Sequence, residues 1–224
     1  MHSSIADAAL FRGLSPDVAA GLTARLPTVD FAAGQVIYAR GDLEAVLYIL
    51  LDGKVKLGRC ADDGRENILS VLAPPDVFGE LSILDPGPQP WNATAVTEVC
   101  AATVDRQRLE SWLVEYPEIA GRLLTMLARR LRHTSDTLAD LSFIDAPARV
   151  AKRLLWLAQR FGIPENGSMR VNHGLTQEEL AQLVGATRET VNKALSDFRN
   201  RGWIRVDGKS VVISNSERLA HRAH

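Results

Sequence analysis

The apolar pattern changes its period at Pro117, and that change restricts the chain to a β part followed by an α-rich part. Residues 29 to 105 carry short apolar runs, VDFAAGQVIY, AVLYILLDGKVKLGR, NILSVLAP and AVTEVCAATV. Turn signals separate them at Ala33-Gly34, Arg40-Gly41, Asp52-Gly53, Asp63-Gly64, Pro74-Pro75-Asp76 and Asp85-Pro86-Gly87. Short strands at this spacing predict an all-β sandwich or barrel. After Pro117, Leu124, Leu127, Leu131, Thr134, Leu138 and Leu141 follow at spacings of 3, 4, 3, 4 and 3, a heptad seam along one long helix. Such a stripe packs on a partner helix or on its own β domain. A seam Thr is costly unless it meets its mate or a ligand, so Thr134 favours a parallel dimer.

Ahead of the strands, Ile5 to Leu26 has helical spacing, with Ser15 as cap and Pro16 at the first helical position. The content of 46% apolar and 24% charged residues is that of an ordinary soluble globular protein. No apolar run approaches the roughly 18 residues of a membrane span. Met1 to Ala9 lacks the basic start and apolar stretch of a signal peptide, so a cytoplasmic protein with no membrane partner is expected. Cys60 and Cys100 show no CxxC spacing, and both are expected as buried free thiols.

The net charge of −1 conceals an asymmetry. Residues 1–145 hold 13 Lys/Arg against 20 Asp/Glu, a balance of −7, whereas residues 146–224 hold 13 against 7, a balance of +6. A basic C-terminal module on an acidic N-terminal one points to a polyanion met through the smaller part.

That part holds the most specific local signal, LTQEELAQLVGATRETVNKALSDF. Two short helices are joined at Gly185; Thr176 to Glu179 forms a capping box for the first, and Thr187 caps the second. Leu180, Leu183, Val191 and Leu195 face inwards in a helix-turn-helix. The second helix displays Arg188, Glu189, Asn192 and Lys193, side chains suited to base edges: Arg bridges O6 and N7 of guanine, and Glu accepts from N4 of cytosine. WIRVDGKSVVI then places two strands around Asp207-Gly208, so the module reads as a winged helix.

The order of β-roll, long helix and winged helix-turn-helix resembles the cyclic-AMP receptor protein/FNR family of bacterial transcription regulators. The likeness covers nearly the whole chain and rests on DGREN at 63–67, FGEL at 78–81, ARRLRHTSDTLADLSFID at 128–145, TRETVNKAL at 187–195 and RGWIR at 201–205. It is nearest the actinobacterial cyclic-AMP receptor protein-like members. The resemblance implies an α+β fold: a cyclic-nucleotide-binding-type β-roll over 1–116, a dimerisation helix over 117–145 and a winged helix-turn-helix over 146–224. It implies a homodimer on a palindromic double-stranded DNA operator, with Arg188 and Glu189 reading a TGTGA-type half-site. Lys193 stands where many relatives carry Arg, and loses bidentate geometry. Thr176, Gln177 and Thr187 join the DNA-facing set, with Thr176 and Lys209 as phosphate contacts. RNA polymerase is a candidate partner through surface patches that carry no readable motif.

In the sensor, Phe78, Gly79, Glu80 and Leu81 match the start of the family's phosphate-binding cassette, and Thr134 and Ser135 match the pair that contacts adenine. The resemblance thus implies cyclic AMP or another nucleotide as ligand. The second half of the cassette departs from the pattern: relatives that bind cyclic nucleotides place Arg and then a small hydroxyl residue where this chain has Gln89 and Pro90. Gln is a neutral donor and Pro donates nothing. Losing the charged partner of a buried phosphate costs about 2–5 kcal/mol, or roughly 30- to 3,000-fold in affinity. Trp91 either fills the emptied site or lies on the surface. Three readings stay open: a ligand-free regulator with an inactive site; a less anionic ligand, or another nucleotide whose phosphate meets a cation from a distant segment such as Lys56 or Arg130; or weak cyclic AMP binding through Glu80, Thr134 and Ser135.

Other classes find less support. An iron–sulfur sensor needs about four cysteines, and His133 reads as a solvated helix residue rather than a haem ligand. His2, His221 and His224 sit near the ends, and no catalytic triad, HExxH or metal cluster stands out, so no catalytic residue is assigned. A β-roll enzyme and a DNA-free interaction module are the remaining alternatives.

Overall fold

The computed structural model describes residues 8–61 and 66–223. The start of the Ile5 helix, the Asp63-Gly64 turn, most of DGREN, and His2 and His224 lie outside the described residues. The chain divides into two compact units between His133 and Thr134.

In the first unit a 3-10 turn at Ala9–Phe11 and helix α1 (Pro16–Thr23) precede the strands. The single helix expected up to Leu26 is broken because Gly13 takes a φ of 94°, after which Ser15 caps a new start at Pro16. The strands are β1 (Thr28–Phe31), β2 (Val36–Tyr38), β3 (Val46–Asp52), β4 (Val55–Cys60), β5 (Glu66–Leu72), β6 (Val77–Phe78), β7 (Asn92–Ala95) and β8 (Val99–Asp105). Helix α2 (Glu80–Leu84) lies between β6 and β7, and α3 (Arg106–Glu115) leads into α4 (Pro117–Phe143). The strands form two antiparallel sheets, ordered β1-β8-β3-β6 and β2-β7-β4-β5.

Strand β3 has no solvated face, which is why its sequence reads as a continuous apolar run. Tyr48 and Leu50 enter a core shared with Val55 and Leu57 of the other sheet, whereas Leu47, Ile49 and Leu51 enter a second core with Phe11, Leu109, Trp112 and Ile119. Alternate side chains point to opposite faces, and both faces are covered. Helix α4 divides its own surface in the same manner. Ile119, Leu123 and Met126 pack on that second core. On the neighbouring stripe Leu124, Leu131 and Leu138 are 68%, 69% and 66% exposed. Leu127 is half-buried and Thr134 exposed.

The second unit continues with α5 (Ala146–Phe161), β9 (Gly162–Glu165), β10 (Ser168–Val171), α6 (Gln177–Val184), α7 (Arg188–Asn200), β11 (Ile204–Asp207), β12 (Ser210–Ile213) and α8 (Ser216–Arg222). Its four-stranded sheet runs β11-β12-β10-β9. Only the β11–β12 hairpin was anticipated. The β9–β10 hairpin turns at Asn166-Gly167, both at positive φ, between flanking strands of only four residues each. Leu180, Leu183, Val191 and Leu195 are buried, as their spacing requires.

Gly34 and Gly53 both have a φ of 84°, but a Cβ at Gly34 meets open space whereas one at Gly53 would stand 2.0 Å from the Glu98 carbonyl oxygen. Gly34→Ala is expected to cost about 1 kcal/mol and Gly53→Ala about 3 kcal/mol or more in urea unfolding.

Candidate DNA interface and ligand loop

The helix-turn-helix is shaped by its caps. Thr176 Oγ1 accepts from Glu179 N at 3.1 Å and Glu179 Oε2 accepts from Thr176 N at 2.8 Å, so the capping box is complete. Gly185, at a φ of 70°, ends α6, and Thr187 Oγ1 accepts from Thr190 N at 3.2 Å to start α7. The sequence did not single out Arg149, which donates to the carbonyls of Val184 at 3.3 Å, Gly185 at 3.1 Å and Ile144 at 2.8 Å. It satisfies carbonyls that the end of α6 leaves open and ties the turn to the start of α5. Its only sequence signal was a basic residue near the Asp145 cap.

Arg188, Glu189 and Lys193 stand exposed on α7, and Gln177 on α6. Glu189 and Lys193 pair at 3.0 Å with side chains 79% and 77% exposed, a solvated pair of little energy that can open toward another partner. Asn192 differs from the expected display. Next to buried Val191, it is half-buried, and its Oδ1 is buried with no hydrogen-bond partner among the described residues. Lys209 is exposed on the β11–β12 turn, and its carbonyl accepts from Gly174 N at 3.1 Å. That bond ties the wing turn to the segment two residues ahead of Thr176. Arg170 adds a second tie to Asp207 at 3.1 Å, and Ser210 a third to Asn172 at 2.9 Å.

In the first unit the loop after β6 is built around a glycine. Gly79 has a φ of 82°, and a Cβ there would stand 2.2 Å from the Val46 carbonyl oxygen. Phe78 before it stacks on Tyr48 with centroids 4.9 Å apart. Glu80 then begins α2 and is 2% exposed. Arg130 of α4 forms an ion pair with its carboxylate and donates to the Val77 carbonyl. This is the distant cation that the loop's own sequence lacks.

Gln89 is also 2% exposed. Its Nε2 donates to Ser82 Oγ at 2.5 Å and to the Glu44 carbonyl at 3.4 Å. Its backbone is paired as well, N–H to the Asp42 carbonyl at 2.8 Å and carbonyl to Gly41 N at 2.9 Å. Leu81 and Pro90 are half-buried. Trp91, half-buried, packs against the core of Tyr38, Tyr48 and Phe78 rather than lying on the surface. Burial first, and the Glu80 carboxylate second, push the Tyr38 phenol far above its ordinary range, while the Trp91 indole and Arg130 act the other way. The Tyr38 hydroxyl is buried and meets full hydrogen-bond geometry with no described group. Thr134 and Ser135 are exposed on α4, in the second unit.

Some expectations need correction. Cys60 and Cys100 are free but half-buried, Cys60 at the end of β4 and Cys100 on β8 opposite Asp30 of β1. His133 is half-buried rather than solvated. Among the described residues no group of three or more His, Cys, Asp or Glu is placed to hold a metal, and no helix is long and apolar enough to cross a membrane.

Residues 28–116 match the cyclic nucleotide-binding domain, and residues 148–222 match the Crp-like helix-turn-helix domain. Over 223 residues, 100% of both chains, the sequence is 58% identical to the CRP-like cAMP-activated global transcriptional regulator of Mycobacterium tuberculosis. The chain belongs to the cyclic-AMP receptor protein/FNR family. The regulator is also 33% identical, over 94% of each chain, to the Cyclic AMP receptor protein of Thermus thermophilus. Its fold superposes on FixK2 from Bradyrhizobium japonicum with a TM-score of 0.79 at 27% identity, covering 89% of this chain and 98% of that one. It is therefore a DNA-binding transcription regulator, and its relatives are regulators, not enzymes.

Removing the cation from Glu80 leaves a buried carboxylate unpaired. Arg130→Met is expected to destabilise the regulator by about 3 kcal/mol in urea unfolding, and Arg130→Met with Glu80→Gln to recover at least half of that loss.

Proposed function

We propose that the regulator works as a cytoplasmic homodimer that reads a TGTGA-like palindrome and in which cyclic AMP binding is lost or weak. The sensor covers 1–116, the dimerisation helix 117–145 and the DNA reader 146–224. Each protomer places α7 in the major groove, with half-sites about one helical turn apart. Arg188 and Glu189 meet base edges, Asn192 and Lys193 flank them, and Thr176, Gln177, Thr187 and Lys209 meet the backbone. The seam of Leu124, Leu127, Leu131, Thr134, Leu138 and Leu141, exposed at every position but Leu127, supports the two-fold contact. RNA polymerase joins through the surface of the DNA-bound dimer.

One observation carries the ligand side of this reading. The donor that would have to stand in for a phosphate-binding Arg, Gln89 Nε2, is already committed to Ser82 and Glu44 inside the chain. Pro90 adds no donor, and Trp91 packs in the aromatic core. A second reading is favoured by Arg130, whose guanidinium lies on Glu80 and remains 29% exposed. A ligand with its anionic group directed to Arg130 instead of Gln89 suits that arrangement, and the name of the Mycobacterium tuberculosis relative, cAMP-activated, makes a cyclic nucleotide the first candidate.

Arg188→Ala is expected to remove the difference in affinity between a TGTGA palindrome and a scrambled duplex, measured by fluorescence anisotropy without added nucleotide, while the sedimentation mass stays that of a dimer. Retained discrimination contradicts the assignment. Leu131→Asp is expected to shift the dimer toward monomer by at least about 30-fold in dissociation constant, the equivalent of ~2 kcal/mol; an unchanged mass in dilute solution contradicts the seam.

A further inference from the structure

The β3–β4 turn and the β7–β8 turn of the first unit are stitched together. Lys54 N donates to Thr97 Oγ1 at 2.9 Å, and the Lys54 carbonyl accepts from Val96 N at 2.7 Å. Beside this stitch opens a cleft of about 510 Å³ whose walls include Asp52, Gly53, Lys54, Pro74, Thr97 and Glu98. None of these residues belongs to the ligand loop or to the DNA-facing set. Lys54 is half-buried and is the one cation in the cleft wall.

A lysine is nucleophilic only through its unprotonated amine. Burial in the wall removes water from the Lys54 ammonium and lowers its pKa, and the Asp52 carboxylate, the smaller influence, opposes that shift. Asp52 and Glu98, which line the same cleft, are both exposed, so solvent weakens the hold of Asp52 on the ammonium. The same two carboxylates select against an anionic reagent and leave an uncharged acyl end as the better fit. The cleft has room for such a group.

We propose that Lys54 is an acylation site whose cleft admits the acyl end of a thioester. The neutral ε-amine attacks the thioester carbonyl carbon; the N–C bond forms, the C–S bond breaks, and the amine proton leaves with the sulfur as a free thiol. No oxidant or reductant takes part. The product is an uncharged amide, and the cleft wall loses the positive charge of Lys54.

The chain contains an internal reference. Of its five lysines, Lys152 and Lys193 are held in ion pairs at 2.6 and 3.0 Å, whereas Lys209 stands exposed on the wing turn. The test treats the full-length protein with the uncharged thioester N,S-diacetylcysteamine, and in parallel with acetyl phosphate, and follows each lysine by peptide mass spectrometry. With the thioester at about pH 7.5, Lys54 is expected to acetylate at least about threefold faster than Lys209, with the lead narrowing as the pH is raised beyond the ordinary lysine range of ~10.4. With acetyl phosphate the lead shrinks because Asp52 and Glu98 repel the donor. Asp52→Asn, which keeps the acceptor for Gly53 N, is expected to raise the Lys54 rate further. A Lys54 rate at or below that of Lys209, or a lead that persists unchanged at high pH, overturns the proposal.

Discussion

The buried carboxylate of Glu80 is the constraint around which the sensor is arranged. A carboxyl group that is 2% exposed is costly to bury without a partner, and the stretch from Glu66 to Asp105 contains no Lys, Arg or His to supply one. The counter-charge comes from Arg130, fifty residues on in sequence, and that requirement brings α4 against the loop after β6. Gly79 lets the loop lie close against β3, because any side chain there would collide with the Val46 carbonyl. The aromatic group of Tyr38, Tyr48, Phe78 and Trp91 closes the other side. The helix that supplies the cation also carries Leu131 on an exposed stripe, so the sensor's electrostatics and the proposed dimer contact involve the same helix.

The DNA-reading unit follows a different logic. Its geometry comes from local caps and ties rather than from one buried charge. Thr176, Gly185 and Thr187 set the angle between α6 and α7, Arg149 holds the turn, and the bond from Gly174 to Lys209 fixes the wing turn. With the backbone held in this way, Arg188, Glu189 and Lys193 remain solvated and available. In the proposed reading, the net charge of +6 over residues 146–224 supplies the sequence-independent attraction to DNA, and the few exposed side chains on α7 supply the discrimination.

Features that depend on local rules were legible in the sequence. The strand runs, the capping box, the Gly185 turn and the α4 seam each follow from spacing within a few residues. What depends on long-range meetings was not. Arg130 was one of two distant cations considered, and nothing in its neighbourhood distinguishes it from Arg129, because the choice is made by which face of α4 meets the β-roll. Gln89 was read by residue type as a neutral donor facing a ligand; its true partners, Ser82 and Glu44, are seven and forty-five residues away. Arg149 and the half-buried Asn192 were missed or misplaced for the same reason: a helical position reveals its face but not the carbonyls or cavities that face it. The Asn166-Gly167 hairpin was within reach of local rules, but its flanking strands span only four residues each.

In the proposed reading cyclic AMP finds no adequate phosphate partner, because Gln89 is engaged within the chain and Pro90 has no donor. Calorimetric titration of cyclic AMP into the purified protein, run beside the Gln89→Arg, Pro90→Thr double variant, tests it most directly. The account predicts no measurable binding heat at micromolar concentrations for the natural protein and recovered binding for the variant. Micromolar binding by the natural protein would contradict it and would identify Arg130 as the group that meets the phosphate.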